Sequence, residues 1–398
     1  MSDLISVEQA VNLLRENRLE RRTEHVSITE ALGRRLAEPI VAHVARPPVA
    51  MSAMDGYAVQ VRDVAVPGTR LKLIGEAPAG RPFSGTVRSG TAVRIFTGGV
   101  VPDGADHIVI QENTERDGDD VVSLQAYDTP RHIRAAGIDF QVDDILVNAG
   151  TVLEPAHLSV AAASNNATVT VEKRLRVGLL SNGDELRRPG SELAPGEIIN
   201  SNPYGLAGLI QRWGGDPVTL GVAEDSIESI QAHMDAADVD ILVPIGGASV
   251  GDHDHMHAAF TDRGFVPIFK KIAVRPGKPT WFSRLDNTLA LGLPGNPASA
   301  LVCAQLFLAP LLGADWRSGF VSATLTQELQ PNGPREHYMR ARIQVSDEGV
   351  LEVEPAPSQD SSLLRTFVTH NALIQCLPNE DTRDAGDSVR VLPIAPIL

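Results

Sequence analysis

The sequence predicts a multidomain α/β protein built on a central, doubly wound, three-layer α/β/α domain. An elongated N-terminal arm carrying a β-rich module precedes that domain, and a C-terminal β-barrel-like domain follows it. Three observations lead there. From about Arg174 to Arg317, short buried-strand runs alternate with segments of helical periodicity, the pattern of a mainly parallel sheet covered on both faces. Upstream, short apolar runs are broken by Gly and Pro, as small β-modules require. Downstream, helical periodicity disappears in favour of strand-like segments. A chain of 398 residues is also too long for one ordinary domain. The expected boundaries are 1–42 with 140–173 for the arm, 43–139 for the inserted module, 174–317 for the α/β domain and 318–398 for the C-terminal domain.

In chain order, the first roughly 25 residues read as a helix, because Leu4, Ile5, Val7, Val11 and Leu14 recur near helical spacing and Ser6 with Gln9 suits a capping box. Gly90–Gly99 and Ile108–Ile110 read as strands, Pro155–Ala163 as a second helix and Ala167–Val171 as another strand. Leu175–Ser181 is a buried strand. Asn202 and Pro203 supply a cap and a first-turn proline for a helix with Leu206, Leu209, Ile210 and Trp213 on one face, and Gly214-Gly215 stops it. Val218–Val222 follows as a strand, and Asp225-x-x-Glu228 reads as a capping box ahead of Ile227, Ile230 and Met234. Strand Asp240–Ile245, a Gly-rich turn and a helix come next, then strand Leu289–Leu293 and a helix from Pro297. Met339–Val345, Val350–Val353, Leu373–Leu377 and Ser388–Leu392 are the strand-like segments of the last domain.

Composition narrows the function classes. An apolar fraction of 43% marks a folded globular chain. A formal charge of −15 and only 4% aromatic residues argue against nucleic acid, which needs cationic grooves and stacking platforms. A small anionic ligand stays compatible, because local groups and not the total charge set a site. Cys303 and Cys376 each sit in an apolar run, so buried free thiols are expected rather than a disulfide or Cys-rich metal site. No basic segment followed by an apolar stretch opens the chain, and no run approaches the roughly 20 apolar residues of a membrane span. A cytoplasmic protein without membrane association is the expectation.

In an open parallel sheet, ligands bind at the carboxyl ends of strands, where glycine turns lead into helix N-termini. Strand Asp240–Ile245 leads to Gly246-Gly247-Ala248-Ser249-Val250-Gly251-Asp252-His253-Asp254, whose glycines let backbone N–H groups approach an anion and whose aspartates suit Mg²⁺. Strand Leu289–Leu293 leads to Pro294-Gly295-Asn296-Pro297-Ala298-Ser299, with Asn296 a natural cap. Strand Leu175–Ser181 leads to Asn182-Gly183-Asp184-Glu185. Between them lies Lys270-Lys271-Ile272-Ala273-Val274-Arg275-Pro276-Gly277-Lys278-Pro279, where Arg275 and Lys278 stand three residues apart across a Pro-Gly turn and can clamp a tetrahedral oxyanion. A plain charged surface turn is the competing reading. His253, His255 and His257 fall in a turn entering a helix, which does not favour a dedicated transition-metal site.

Taken together these turns resemble one family. Ser52-Ala53-Met54-Asp55-Gly56-Tyr57-Ala58-Val59, Arg94-Ile95-Phe96-Thr97-Gly98, Ser181-Asn182-Gly183-Asp184-Glu185-Leu186, Gly246-Gly247-Ala248-Ser249-Val250-Gly251, Arg275-Pro276-Gly277-Lys278-Pro279 and Leu293-Pro294-Gly295-Asn296-Pro297 occur in the order of the molybdopterin molybdenumtransferases, to which the C-terminal domain of gephyrin is also similar. The resemblance covers nearly the whole chain. It implies an elongated homodimer of four-domain subunits, with the active cleft between the α/β domain of one and the N-terminal β-module of the other. It implies that adenylylated molybdopterin and molybdate are substrates, that a divalent cation such as Mg²⁺ takes part, and that AMP and molybdenum cofactor are released. Transient contacts with other cofactor-assembly proteins or recipient molybdoenzymes follow from the same likeness.

Carried over by motif, the resemblance puts Asp55 and Thr97 in the cleft from the partner subunit, and Asp139 at a further acidic position. Glu185, Asp225 and Asp254 would serve metal and adenylate, with Glu185 and Asp254 as metal ligands. Gly246, Gly247 and Ser249 would line one turn, and Pro294, Pro297 and Ser299 another. Lys271, Arg275 and Lys278 would face molybdate or phosphate, with Arg340 and Ser361 reaching in from the C-terminal domain. The chain departs from the family pattern at Ala50-Met51, at Arg275 where a lysine is usual, and at Asp360-Ser361 and Arg365-Thr366. A non-catalytic pterin-binding or carrier protein is the alternative, and AMP release separates the two.

Overall fold

The computed structural model describes residues 4–246, 255–314 and 316–397. They form two compact units, one of residues up to Arg22 together with those from Lys173 onward, the other Thr23–Glu172. The chain leaves the first unit after Arg22 and re-enters it at Lys173, whose N–H donates to the Arg22 carbonyl at 2.7 Å.

The first unit holds an open six-stranded sheet in the order Asp216–Ala223, Arg176–Asn182, Ile241–Ile245, Thr288–Gly292, Trp281–Leu285, Val266–Phe269. The first four strands run parallel, Trp281–Leu285 runs antiparallel to them, and Val266–Phe269, antiparallel to its neighbour, resumes their direction. Period-two alternation sends successive side chains to opposite faces. Val177, Leu179, Val243 and Leu291 enter one core with Val7, Val11, Leu14, Leu206 and Ile210, while Leu180, Leu242 and Ala290 enter another with Ile230, Met234, Met256 and Phe260. The doubly wound prediction is borne out, and the first helix has the predicted Ser6–Gln9 box but spans only Val7–Glu16, because Leu4–Ile5 pairs as a strand with Lys271–Ile272 and Thr23–Ser27 pairs with Thr168–Glu172. Each fully buried aliphatic side chain here stabilises the fold by roughly 1.5–3 kcal/mol.

Three predicted caps resolve differently. Helix Ile227–Asp235 is capped by Ser226, whose hydroxyl accepts from the Ser229 N–H, so Asp225 is released from that duty. Asn202 is the first helical residue of Asn202–Arg212, and its amide donates to the Gly295 carbonyl at 2.7 Å. Asn296 stands at the N-cap position of Pro297–Cys303, yet its amide donates to Ser361 Oγ at 3.0 Å instead of capping. In each case a neighbouring loop offers a better partner than the helix end does.

The C-terminal strands Val321–Leu325, Glu336–Val345, Leu351–Pro355, Ala372–Cys376 and Ser388–Pro393 close into a five-stranded barrel, because Glu336–Val345 pairs with both Leu351–Pro355 and Ala372–Cys376. Ala341, Ile343, Val353, Ile374 and Val391 fill it. The short strand Val274–Arg275 adds to its edge by pairing with Glu336-His337. Both cysteines are free and buried, as expected.

The second unit contains a six-stranded sheet, in the order His107–Ile110, Gly56–Val59, Thr91–Ile95, Thr69–Ala77, Asp120–Ser123, Thr114–Asp117. It also contains a small assembly of Thr23–Ser27 paired with Thr168–Glu172 and the helix Pro155–Ala163. Among the described residues no helix is long and apolar enough to cross a membrane.

Candidate functional site

All four parallel strands deliver their carboxyl ends to one edge of the open sheet. There the turns after Asn182, Ala223, Ile245 and Gly292 come together through short polar contacts. Gly246 N–H donates to Leu293 O at 3.1 Å, and Asn202 ties down Gly295. Asn182 Nδ2 reaches Asp225 Oδ1 at 3.5 Å, and the Asp225 N–H donates to Asp184 Oδ1 at 3.2 Å. His255 Nδ1 lies 2.8 Å from the Asp225 carbonyl and 3.4 Å from its carboxylate. The Glu185 carboxylate folds back over Gly183, where an added Cβ would fall 2.5 Å from Oε2. An open cleft of about 580 Å³ is lined here by Gly183, Asp184, Arg187, Asp225 and Ser226. A second cavity, about 440 Å³, opens at the opposite ends of the strands around Arg22, Arg174 and Asp240, away from every glycine turn. The first is the one the sheet topology singles out for a ligand.

The cation turn is built on Lys271–Ile272 and Val274–Arg275. Ile272 N–H donates to Lys278 O at 3.1 Å, closing the loop so that Arg275 and Lys278 project from one turn. Both are exposed, and Lys271 is half-buried. Among the described residues none of the three has an ion pair, so their charge is available to an anion. The next helix, Pro297–Cys303, follows the turn Pro294–Asn296 and reaches the cation turn at Cys303, about 9 Å along its axis. Pro294 and Ser299 are buried, and Pro297 is half-buried.

A loop from the barrel docks on the start of that helix. Ser361 accepts from the Ala298 N–H at 3.0 Å through its carbonyl and from Asn296 through its hydroxyl oxygen. Arg340 holds the loop from beneath. Its Nη1 donates to Leu363 O at 3.0 Å, and its Nη2 donates to Asp360 O at 2.9 Å and Ser358 O at 3.4 Å. Arg340 is 2% exposed, whereas Arg342 faces solvent, as strand alternation requires. Burial pulls the Arg340 guanidinium below its ordinary pKa, with Asp360 opposing. Arg340 therefore shapes the loop that carries Ser361 instead of presenting itself to the cleft. The unusual Asp360 is turned onto its own loop, where Oδ1 accepts from the Ser362 N–H at 2.8 Å and the Ser362 hydroxyl at 2.7 Å. Those bonds hold its carboxyl below the usual value.

In the second unit, two sequence-predicted residues meet. Thr97 donates to Asp55 Oδ1 from its N–H at 2.7 Å and from its hydroxyl at 2.8 Å. The backbone bond first, then the hydroxyl, lowers the Asp55 pKa, with a smaller contribution from Arg94. Asp55 is placed by a turn that only glycine can follow, since a Cβ on Gly56 would stand 2.0 Å from Val109 O. Arg94 stacks on Tyr57 and Phe96 and donates to Gly56 O at 3.1 Å, bracing the same turn. Asp139 stands apart from this pair in the contacts it makes. It is exposed, with Arg46 Nε 3.4 Å from Oδ2.

Gly247, Ser249 and Asp254 lie outside the described residues, as does His253. Of the proposed metal ligands, Glu185 is described and lies over Gly183, while Asp184 and Asp225 line the cleft. Carboxylates in an open cleft are hard oxygen donors, which fit Mg²⁺ better than a softer metal, because Mg²⁺ takes few protein carboxylates and completes its shell with water and phosphate. Among the described residues no preformed cluster of three or more His, Cys, Asp or Glu surrounds a metal position. The sequence assigned no role to Asn182 or Arg94, which the structure places against Asp225 and the Gly56 turn. Asn182 and Arg94 stand inside the quoted motifs, and strand alternation alone puts Arg94 and Phe96 on one face.

Comparison with known proteins agrees with this geometry region by region. Residues 5–165 match the MoeA N-terminal region (domain I and II), residues 179–314 a probable molybdopterin binding domain, and residues 322–394 the MoeA C-terminal region (domain IV). The chain is 33% identical over 385 residues to a molybdopterin molybdenumtransferase of Haemophilus influenzae, covering 94% of this chain and 95% of that one. It is 31% identical over 405 residues to the Bacillus subtilis protein of the same name, covering 98% and 94%. A molybdopterin biosynthesis MoeA protein of Pyrococcus horikoshii superposes with a TM-score of 0.84 at 27% identity, covering 99% of this chain and all of that one.

Proposed function

The chain belongs to the molybdopterin molybdenumtransferase family, and from that premise we propose that it inserts molybdate into adenylylated molybdopterin, releasing AMP and molybdenum cofactor. The observation that carries the reading is the carboxyl edge of the sheet, where one fold delivers a carboxylate-lined cleft and three cations that have no ion pair among the described residues. Separating the two phosphates of an adenylylated pterin needs charge neutralisation and positioning more than a protein nucleophile. Glu185 and Asp225, with Asp254, would hold Mg²⁺, which when bound would supply positive charge at the phosphoryl oxygens. Lys271, Arg275 and Lys278 would receive molybdate, with Ser299 and Ser361 donating hydroxyl bonds to anionic oxygens nearby. Because Ser361 Oγ already accepts from Asn296, its own proton is left to donate outward. The turn residues Gly246, Gly247 and Ser249, and Pro294 with Pro297, would bound the pterin or its phosphate, and Arg340 would act through the Ser361 loop.

Asp55 and Thr97 would complete the cleft from a second copy of the chain, with Asp139 as a further acidic contact. The protein would work as a cytoplasmic homodimer, meeting other cofactor-assembly proteins or recipient molybdoenzymes only transiently. The Thr97 bonds keep Asp55 ionised, which fits a role in orienting a cation or a sugar hydroxyl and not in donating a proton.

The test is AMP release from adenylylated molybdopterin, with and without molybdate and with and without Mg²⁺, on the wild type and Asp55→Ala. Molybdate-dependent release that drops at least about ten-fold in the variant supports the reading. Tight pterin binding without AMP release would sink it in favour of a carrier protein, and full activity in EDTA would remove the metal. Mixing Asp55→Ala with Glu185→Ala should restore about a quarter of wild-type activity if each cleft draws on two copies. No restoration would place both residues in a single subunit's site.

A further inference from the structure

The cation turn is gripped from three sides, and its floor is a thiol. On one side strand Leu4–Ile5 pairs in parallel with Lys271–Ile272, and the Ala273 N–H donates to Ile5 O at 2.7 Å. On another, Val274–Arg275 pairs with the barrel strand at Glu336-His337, and the Glu336 N–H donates to Ala273 O at 3.0 Å. Beneath lies Cys303, wholly buried at the end of helix Pro297–Cys303. The Thr280 hydroxyl donates to Cys303 Sγ at 3.3 Å, and the thiol points to Pro276 O at 3.8 Å. Gly277 has φ +115°, and a Cβ there would lie 2.1 Å from Sγ, so turn and sulfur are in contact with nothing between them. Burial pushes the thiol up to about 12, so it keeps its proton and remains a donor.

We infer that Cys303 is a positioning residue of the oxyanion site: it fixes the height of the Pro276-Gly277 backbone, and through it the spacing of Arg275 and Lys278. The inference rests on the proposed reading of that turn as the place where molybdate is received. Arg275 and Lys278 are long, exposed side chains, and only the backbone between them is held rigidly, so a small displacement of the turn separates their charged ends. A buried thiol suits this task, because it fills the space under Gly277, accepts from Thr280 and donates weakly toward Pro276. The helix that carries Cys303 also carries Asn296, which holds Ser361, so one rigid element sets the cations and the barrel loop together.

The experiment uses the full chain and measures molybdate dependence in two ways: KM and kcat for AMP release, and direct titration of molybdate by calorimetry. Cys303→Ala should raise the KM for molybdate about five-fold with kcat within two-fold. Cys303→Ser, which restores a donor and an acceptor, should stay within about two-fold of wild type. Thr280→Val, which keeps the sulfur and removes its partner, should raise KM about two- to three-fold, and it carries the test if Cys303→Ala fails to fold. An unchanged KM in the folded variants, or a fall in kcat alone, overturns the inference. If wild type releases no AMP in response to molybdate, the functional reading fails and calorimetry decides this one. A parallel loss of molybdate affinity in Cys303→Ala and Thr280→Val upholds it, whereas equal binding, or none by wild type, overturns it.

Discussion

Replacing Arg340 with Met separates two roles for this side chain, a direct contact to an anion and a clamp on the loop that carries Ser361. The substitution keeps most of the buried volume and removes the guanidinium. Two of its bonds are short, to Leu363 O at 3.0 Å and Asp360 O at 2.9 Å, and the third, to Ser358 O at 3.4 Å, is weak. A hydrogen bond from a charged donor contributes about 1.5 kcal/mol at the low end of its range, so the two short bonds contribute about 3 kcal/mol. The guanidinium also lies 5.8 Å from the Phe367 ring, near the limit of a cation–π contact, which adds about 0.5 kcal/mol. Leu363 is exposed, so its carbonyl regains water and the total stays near 3 kcal/mol. Urea unfolding followed through Trp316, whose ring lies 6.2 Å from that of Tyr338 two residues along the same strand, should read this loss. Cleavage by a protease between residues 358 and 364 should accelerate in parallel, and Arg340→Lys should fall between variant and wild type. A variant with unchanged stability and loop protection, but a raised KM for molybdate, would refute the clamp and return Arg340 to the ligand.

Gly56→Ala drives a Cβ to 2.0 Å from the Val109 carbonyl, so the strand pair must part; we expect a loss above about 3 kcal/mol in unfolding experiments, together with lost activity because Asp55 sits on the same turn. Stability should also fall with acid. His107 and His337 are buried neutral, with burial lowering both to about 4; His132 and Arg131 add to the effect at His107, and Arg275, Arg335 and Arg340 at His337. The unfolded chain takes up these protons first, near pH 6.5, so stability is complete above that value and declines from pH 6.5 toward pH 4. Each histidine contributes of the order of 3 kcal/mol across that window, and an unchanged pH slope in His107→Gln and His337→Gln would show that neither titrates this way.

Much of the fold was legible because its determinants are local. Arg176–Asn182 and Ile241–Ile245 are apolar runs bounded by glycine, and Ser6 with Gln9 forms a cap that needs nothing beyond four residues. Val266–Phe269 and Trp281–Leu285 escaped because their strand character comes from pairing with each other and with Thr288–Gly292. Adjacent cap-forming residues, Asp225 and Ser226, cannot be ranked by sequence; a carboxylate that instead meets Asn182 and His255 decides between them. The Asp55–Thr97 pair could be named through the two motifs that hold it. The engagement of Arg340 with loop carbonyls, and of Cys303 with Gly277, could not, since each depends on residues about twenty or more positions away meeting across a packed boundary.

The paired exit and return at Arg22 and Lys173 have a bearing on how such a chain can change. Two backbone positions joined by one hydrogen bond can be bridged by a tight turn, so the segment from Thr23 to Glu172 leaves and re-enters the first unit at one place, as an insertion in a surface turn does. Evolution can therefore vary the sheet that carries Asp55 at one rate and the sheet that carries the glycine turns at another. A laboratory can do the same, grafting the corresponding segment of a distant relative into this chain between Arg22 and Lys173.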